Sequence, residues 1–376
     1  MKRLPLTDRR SFLASALGVG AYAALGHGPA ALAAQEELPR RLPALKVSRD
    51  RHIRTVVGLR PYRPEGFVLT NERLGEKVVV HNYGHGGGGV SLSWGSARLA
   101  LDHALASTHR SAAVLGAGAV GLATARLLQD HGFEVAIYAR DLPPDTTSNL
   151  AGAQWAPVSL IDPERVTPAF RERYVRASRF AFRYFQTLAG DRYGVRWLEN
   201  YFLSRSAESH DEWEMTTLFE ELFRVEQLRP GEHPFPVPSV RRFLSMHIDT
   251  SHYLRQVLED FHLAGGRLVV RELSGRAEIA GLPEPVVVNC TGLGSAALVG
   301  DRELAPLKGQ LVVLAPQPEV DYITAGPGPG VMYMMPRRDG IILGGTFVAG
   351  DATTEPDPVE ADRILRSQRA LFEAMR

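Results

Sequence analysis

Runs of apolar residues, broken at short intervals by glycine, proline and small polar residues, divide this chain into strands and helices. Residues 76–83 carry Val78, Val79 and Val80 in succession, a pattern that predicts a strand buried on both faces. Residues 91–105 predict a helix with Leu99, Leu101 and Leu105 among alanines, its start marked by four glycines and Ser91. A strand at 111–115, a helix at 119–132 and a strand at 134–138 then make a βαβ unit of a doubly wound sheet. Residues 142–147 hold two prolines and two threonines and read as a loop. Further helices are predicted at 167–189, 253–264 and 358–375, and further strands at 267–270 and 285–290. Residues 310–314 and 340–346 predict strands of a second, antiparallel sheet. Between them, 316–330 is rich in proline and glycine and reads as a functional loop without regular structure.

The start of the chain follows a different pattern. Lys2, Arg3 and the run Thr7-Asp8-Arg9-Arg10-Ser11-Phe12-Leu13 precede a mildly apolar stretch, 12–34, interrupted by His27 and Pro29. That interruption makes it a poor membrane anchor. Ala31-Leu32-Ala33 is a small-x-small cleavage pattern. The paired arginines read as a twin-arginine export signal over residues 1–33, with an ordinary Sec signal as the alternative. The expectation is an exported protein, soluble after cleavage and handed to the twin-arginine translocon as folded cargo. Residues 35–43 are expected to be extended or disordered. Forty-three basic and 42 acidic residues give a net charge of +1, so nothing favours nucleic acid as a partner. The single cysteine, Cys290, excludes an internal disulfide and a cysteine-rich metal site, and no metal is expected. A chain that folds around a cofactor before export has less use for disulfides.

Candidate chemistry lies in two neighbouring segments. Gly116-Ala117-Gly118-Ala119-Val120-Gly121 follows a predicted strand and opens a predicted helix, the context in which a glycine-rich turn binds a pyrophosphate. It does not separate FAD from NAD. The carboxylate expected about twenty residues on is Asp141, with Arg140 directly before it. Just upstream, HNYGHGGGGVSLSWG (81–95) has four consecutive glycines that let backbone pass close to a flat ring. The helix that follows can aim its positive end at that ring.

Together with Thr146-Thr147-Ser148-Asn149-Leu150-Ala151-Gly152-Ala153-Gln154-Trp155, these segments resemble the D-amino acid oxidase family. Gly58-Leu59-Arg60-Pro61-Tyr62-Arg63-Pro64, Tyr333-Met334-Met335-Pro336, Asn289-Cys290-Thr291-Gly292 and Leu343-Gly344-Gly345-Thr346-Phe347 extend the resemblance over nearly all of 50–376. It implies FAD as cofactor and an α/β fold, with a Rossmann-like FAD-binding domain and an antiparallel-sheet substrate domain. The FAD-binding domain would take 65–160 and 245–300, and the substrate domain 40–64, 161–244 and 301–376. By resemblance, Arg60 and Tyr333 clamp the substrate carboxylate and the Gly87 carbonyl accepts from its amine. Gly116, Ala117, Gly118, Val120, Gly121, Arg140, Asp141, Thr146, Thr147, Ser148, Ala153, Gln154, Trp155, Leu273, Thr291, Gly86, Gly88, Gly89, Val90 and Ser91 fall at cofactor-binding positions. The ribose ligand stays open between Arg140 and Asp141, because the family pair runs in the opposite order. His81 and His85 read as making structural hydrogen bonds. The family's lid tyrosine is replaced by Pro329, with Tyr322 as a substitute from another backbone position.

The glycine run ends the family pattern, yet here it precedes the nucleotide turn. The pattern becomes continuous if Arg376 is followed by the region near Leu45, so the layout reads as a circular permutation with the loop 107–111 in place of the usual termini. The implied reaction oxidises a D-amino acid by hydride transfer to flavin N5, with dioxygen as acceptor and release of ammonia and hydrogen peroxide. Residues 316–336 lack Lys and Arg, which favours a neutral substrate; Arg337, Arg338 and His247 are cations that could alter this. Alternatives on the same pattern are a D-aspartate, glycine or secondary-amine oxidase, a flavin dehydrogenase with another acceptor, and a non-catalytic flavin-binding protein.

Overall fold

Three strands open the folded part of the chain: His52–Tyr62 (β1), Val68–Leu74 (β2) and Lys77–Tyr83 (β3). The computed structural model describes residues 41–205, 221–326 and 332–376. The export-signal segment, the first part of the expected extended stretch and the lid-position Pro329 lie outside the described residues. Next come Gly89–Leu105 (α1), Ser111–Leu115 (β4), Ala119–Asp130 (α2) and Glu134–Ala139 (β5), close to the bounds the apolar periodicity predicts. Thr147–Leu150 (α3) and Pro168–Thr187 (α4) follow, the latter capped by the Thr167 hydroxyl, which accepts from Phe170 N. The chain continues through Val195–Ser204 (β6), Glu226–Leu228 (β7), Ser239–Ile248 (β8), Thr250–Leu263 (α5) and Arg267–Val270 (β9). It then forms Arg276–Ala280 (α6), Val286–Asn289 (β10), Ser295–Val299 (α7), Ala305–Leu314 (β11) and Tyr322–Ala325 (β12). Tyr333–Arg337 (β13), Gly340–Gly344 (β14), Val348–Ala349 (β15) and Pro358–Glu373 (α8) complete it.

Strands from separate stretches of chain assemble the first sheet, in the order β2-β3-β10-β4-β5-β9. All neighbours are parallel except the β2–β3 hairpin. β10 lies between β3 and β4, with Val288 opposite both Val80 and Val114. Both faces are covered, as a parallel sheet requires. Val80, Val114, Ile137 and Val288 pack against α1, α2, α4 and α5 through Leu92, Leu122, Phe185 and Phe261. On the other face, Val79, Leu115 and Val287 meet Ile279 and Leu298.

The second sheet runs β1-β11-β14-β13-β12-β6-β8-β7, with β15 on β11. It is antiparallel apart from the β12–β6 pair. Alternation along its strands separates two faces. Val312, Leu314, Met334 and Leu343 face α8 and the N-terminal residues Leu42, Leu45 and Val47. Leu311, Val313, Ile342, Tyr333 and Met335 line the opposite face.

One expectation is corrected here. Within 316–330, read as irregular, Tyr322–Ala325 is a strand parallel to β6. Tyr322, Ile323 and Thr324 are all buried, because both faces of this sheet are covered and the surrounding prolines fall outside the strand. Tyr322 packs against Tyr201 and Phe235 and donates to Pro43 O at 2.7 Å, in the α8-side core. It therefore stands on the face opposite Tyr333 and does not substitute for a lid tyrosine.

Candidate active site

The nucleotide turn is built from backbone approaches that only glycine permits. A Cβ on Gly121 would overlap the Gly116 carbonyl, and one on Gly116, at φ +103°, would lie 2.6 Å from Cys290 O. Gly116 is thereby held against the end of β10, beside Thr291. The Thr291 hydroxyl donates to Asn289 Oδ1 at 2.8 Å. α3 brings Ser148 to the start of α2, where its hydroxyl accepts from Ala119 N at 3.0 Å. Thr146 is engaged locally, donating to Asn149 Oδ1 at 2.8 Å. At the end of β5, Arg140 Nε donates to Asp141 at 2.9 Å and its NH1 to Glu272 at 3.0 Å, so the two candidate ribose ligands pair with one another.

The glycine run and the 152–156 segment meet at the start of α1. Ser91 Oγ donates to Gln154 O at 3.1 Å and accepts from Ala156 N at 3.2 Å. Gly87 N donates to Ser159 O at 2.9 Å. Ala153 (φ +46°) and Ser159 (φ +57°) are the non-glycine residues with positive φ among those described, and both lie in this junction. Such left-handed residues persist where the surroundings over-determine them, often at ligand sites. Gly88 packs on Leu160 and Gly89 on His85. The side chains of Val90, Trp155 and Leu273 are core residues: Trp155 sits edge-to-face on Phe182, and Leu273 lies with Ile279. His81 makes the expected hydrogen bonds, 3.0 Å to Glu72 and 3.3 Å to Asn289. His85 does not; its buried ring stacks on Phe67 at 4.8 Å, and burial depresses its pKa to about 3.

The second sheet supplies the other wall. Arg60 on β1 and Tyr333 on β13 lie over glycines of the strands between them. A Cβ on Gly309 would overlap the Arg60 guanidinium, and one on Gly344 would overlap the Tyr333 ring. Phe347 covers the Arg60 guanidinium from 4.2 Å. Arg60 NH1 donates to Thr346 O at 3.5 Å, and none of the ion pairs among the described residues involves it. Arg63, the other arginine of that segment, is ion-paired with Asp301 at 2.9 Å. Burial raises the Tyr333 phenol above its ordinary pKa, while the charge and hydrogen bond of Arg60 pull it down. A Cβ on Gly152 would lie 2.7 Å from Met335 Sδ and 3.6 Å from the Tyr333 ring. The segment that carries Ala153 and Gln154 is therefore seated on the Arg60–Tyr333 wall.

Of the other cations weighed from sequence, the two arginines have structural partners. Arg337 is buried, donates to Asn149 O at 2.7 Å and Ala151 O at 3.0 Å, and pairs with Asp339. Arg338 pairs with Asp191. Gly309 and the stacking of Phe347 on Arg60 were not foreseen, although a glycine inside an apolar strand is itself a signal of close approach.

These residues fit FAD. The glycine cradle and the α2 N-terminus suit a pyrophosphate. The Gly86–Ser91 and Gly152–Gln154 backbones meet at the start of α1, at the positions where the family resemblance puts the flavin ring. Fold and site together define a flavin-dependent oxidoreductase.

Comparison with known proteins agrees. The model of the DAO family of FAD dependent oxidoreductases matches residues 111–376. The D-amino-acid oxidase of Rubrobacter xylanophilus is 35% identical over 268 residues, covering 70% of this chain and 78% of that protein. That of Streptomyces coelicolor is 32% identical over 262 residues, covering 69% and 76%. Human D-aspartate oxidase is 29% identical over 260 residues, covering 67% and 73%. Among solved structures, glycine oxidase from Geobacillus kaustophilus superposes with a TM-score of 0.55 at 18% identity, over 71% of this chain and 80% of that one. The chain belongs to the DAO family of FAD-dependent oxidoreductases.

Proposed function

We propose that this chain oxidises a D-amino acid with an uncharged side chain to the imino acid, which hydrolyses to an oxo acid and ammonia. The observation that carries the reading is Arg60, a guanidinium aimed across glycines beside Tyr333 with no carboxylate of the described protein to neutralise it. A planar guanidinium suits bidentate binding of a substrate carboxylate. Tyr333, kept protonated by burial, donates to the same carboxylate. The Gly87 carbonyl accepts from the substrate amine. Met335, Ile342 and Leu311 make the sheet face behind the clamp apolar and exclude water. Bound FAD would supply the hydride acceptor for the substrate Cα–H, with dioxygen as the terminal oxidant reduced to hydrogen peroxide. The protein's part is orientation, which by itself lowers such a barrier substantially. Ion pairing of Arg337 and Arg338 with Asp339 and Asp191 supports an uncharged substrate side chain. The test is anaerobic mixing of the purified flavoprotein with D-alanine. Loss of the oxidised flavin band near 450 nm (roughly, a property of the cofactor) is expected, and an unchanged spectrum across a panel of D-amino acids overturns the reading.

The same reading assigns the first sheet to FAD and the second to the substrate, in a circularly permuted layout. Its support is that Leu42, Leu45 and Val47 share an apolar cluster with Leu365, Leu371 and Phe372, and that Arg369 Nε donates to Val47 O at 3.0 Å. The family match also starts at residue 111, the first residue of β4. Export by the twin-arginine route belongs to this proposal, resting on Arg9 and Arg10.

A further inference from the structure

The 153–155 segment adds to the edge of β8. Ile248 N donates to Ala153 O at 2.8 Å and Trp155 N to Met246 O at 2.6 Å, which brackets Gln154 and His247 as a directly opposed antiparallel pair. Residues opposed in this way project their side chains to the same face, at the close, non-hydrogen-bonded spacing. Both carry buried polar atoms without protein partners: Gln154 Oε1, His247 Nδ1 and His247 Nε2. Buried polar groups left unpaired are costly, so such a cluster marks a place where something else supplies the hydrogen bonds. Two residues earlier in the chain, Gly152 touches Tyr333 and Met335. The polar pair therefore adjoins the substrate clamp.

We infer that Gln154 and His247 form the subsite for the substrate side chain, and that it selects D-amino acids ending in an uncharged hydrogen-bonding group, above all a carboxamide. The inference rests on the proposed D-amino acid oxidation and specifies its substrate class. A carboxamide offers both a donor and an acceptor, and so do a neutral imidazole and a glutamine amide. Burial keeps the His247 ring neutral. The charges that face it come as opposed pairs, Arg196 with Asp249 and Arg337 with Asp339, so the subsite presents no single-sign field to an ionised side chain. Arg196 is held by Pro336 O at 2.7 Å, and Asp249 by Arg338 N at 2.9 Å and the Ser251 hydroxyl at 2.7 Å. An alkyl side chain of the same shape would leave all three buried atoms unpaired, the situation in which polar sites discriminate most strongly.

The test is steady-state kinetics of the holoenzyme with D-glutamine, its near-isosteres D-methionine and D-glutamate, and D-alanine as a control for the underlying reaction. The wild type is expected to favour D-glutamine over D-methionine and over D-glutamate by at least about tenfold in kcat/KM. His247→Leu should reduce the D-glutamine/D-methionine ratio by at least about tenfold, while His247→Asn, which retains a donor and an acceptor, should restore part of it. A wild-type preference for D-methionine or D-glutamate overturns the inference. So does a His247→Leu variant that slows D-glutamine and D-methionine by the same factor, the behaviour of a structural histidine whose pair is filled by buried water. If D-alanine itself fails to reduce the flavin, the underlying reaction is wrong, and that outcome is distinct from a lost preference.

Discussion

Arg60 is the residue on which the substrate assignment turns, and its surroundings make a quantitative demand. It lies over a glycine, under a phenylalanine and beside a phenol, with no acidic partner among the described residues. Lysine would retain the charge but lose the bidentate fork. Arg60→Lys is therefore expected to lower kcat/KM for D-alanine by about 100-fold, in line with one or two charge-assisted hydrogen bonds, as measured by oxygen uptake. Two buried histidines predict the pH dependence of stability. Burial depresses His85 and His247 to about 3, with Arg173 and Arg196 respectively pushing the same way. Below the ordinary imidazole value of about 6.5, the unfolded chain takes up protons that the folded chain refuses. Stability accordingly falls as pH drops from about 6.5 toward 3, by up to about 1.4 kcal/mol per pH unit for each histidine. Thermal melts between neutral pH and pH 4 should show this decline, and His247→Leu should flatten it. Arg60 stood out as a clamp candidate from its segment, whereas the isolation of His247 did not, because a histidine in a strand says nothing of its partners across the sheet.

At the scale of elements, the nucleotide turn and the substrate wall use the same device, a glycine on which a neighbouring group rests. Gly121→Ala would drive a methyl group into the Gly116 carbonyl. The expected result is a marked loss of bound flavin, read from the flavin-to-protein absorbance ratio. Gly344→Ala would instead displace the Tyr333 ring. Flavin content should then persist while kcat/KM falls at least about tenfold, with an overpacking cost of about 1–3 kcal/mol in stability. Elements with a strong local period, β3, α1, β4, α2 and β5, were legible in the sequence within a few residues. The strand β12 was not. Its four residues sit among prolines and glycines, and pairing with β13 and with β6, the latter over a hundred residues away in the chain, makes extended backbone favourable there. Likewise β8 carries Arg242, whose ion pair with Glu226 exists only because the sheet sets β7 beside it.

At the scale of the whole molecule, both ends of the described chain meet behind the second sheet, where α8 packs on Leu42, Leu45 and Val47. Arg376 N donates to Pro234 O at 3.1 Å, next to Phe235 of the same cluster. If the layout is a permutation, a chain that starts at residue 111 and continues from 376 through a short linker to 41–110 should fold, bind FAD and retain turnover. Circular dichroism and flavin content check it, and a permuted chain that stays unfolded with several linkers counts against the layout. The glycine turn, the glycine run and their unusual order are readable from the residues alone, because backbone approach and helix starts demand particular residues at fixed local spacings. Tertiary structure alone decided which charges are left unpaired. Arg60 remains available while Arg63, Arg337 and Arg338 do not, and Gln154 comes to face His247, because partners across a sheet are set by register and packing between segments that local sequence cannot see.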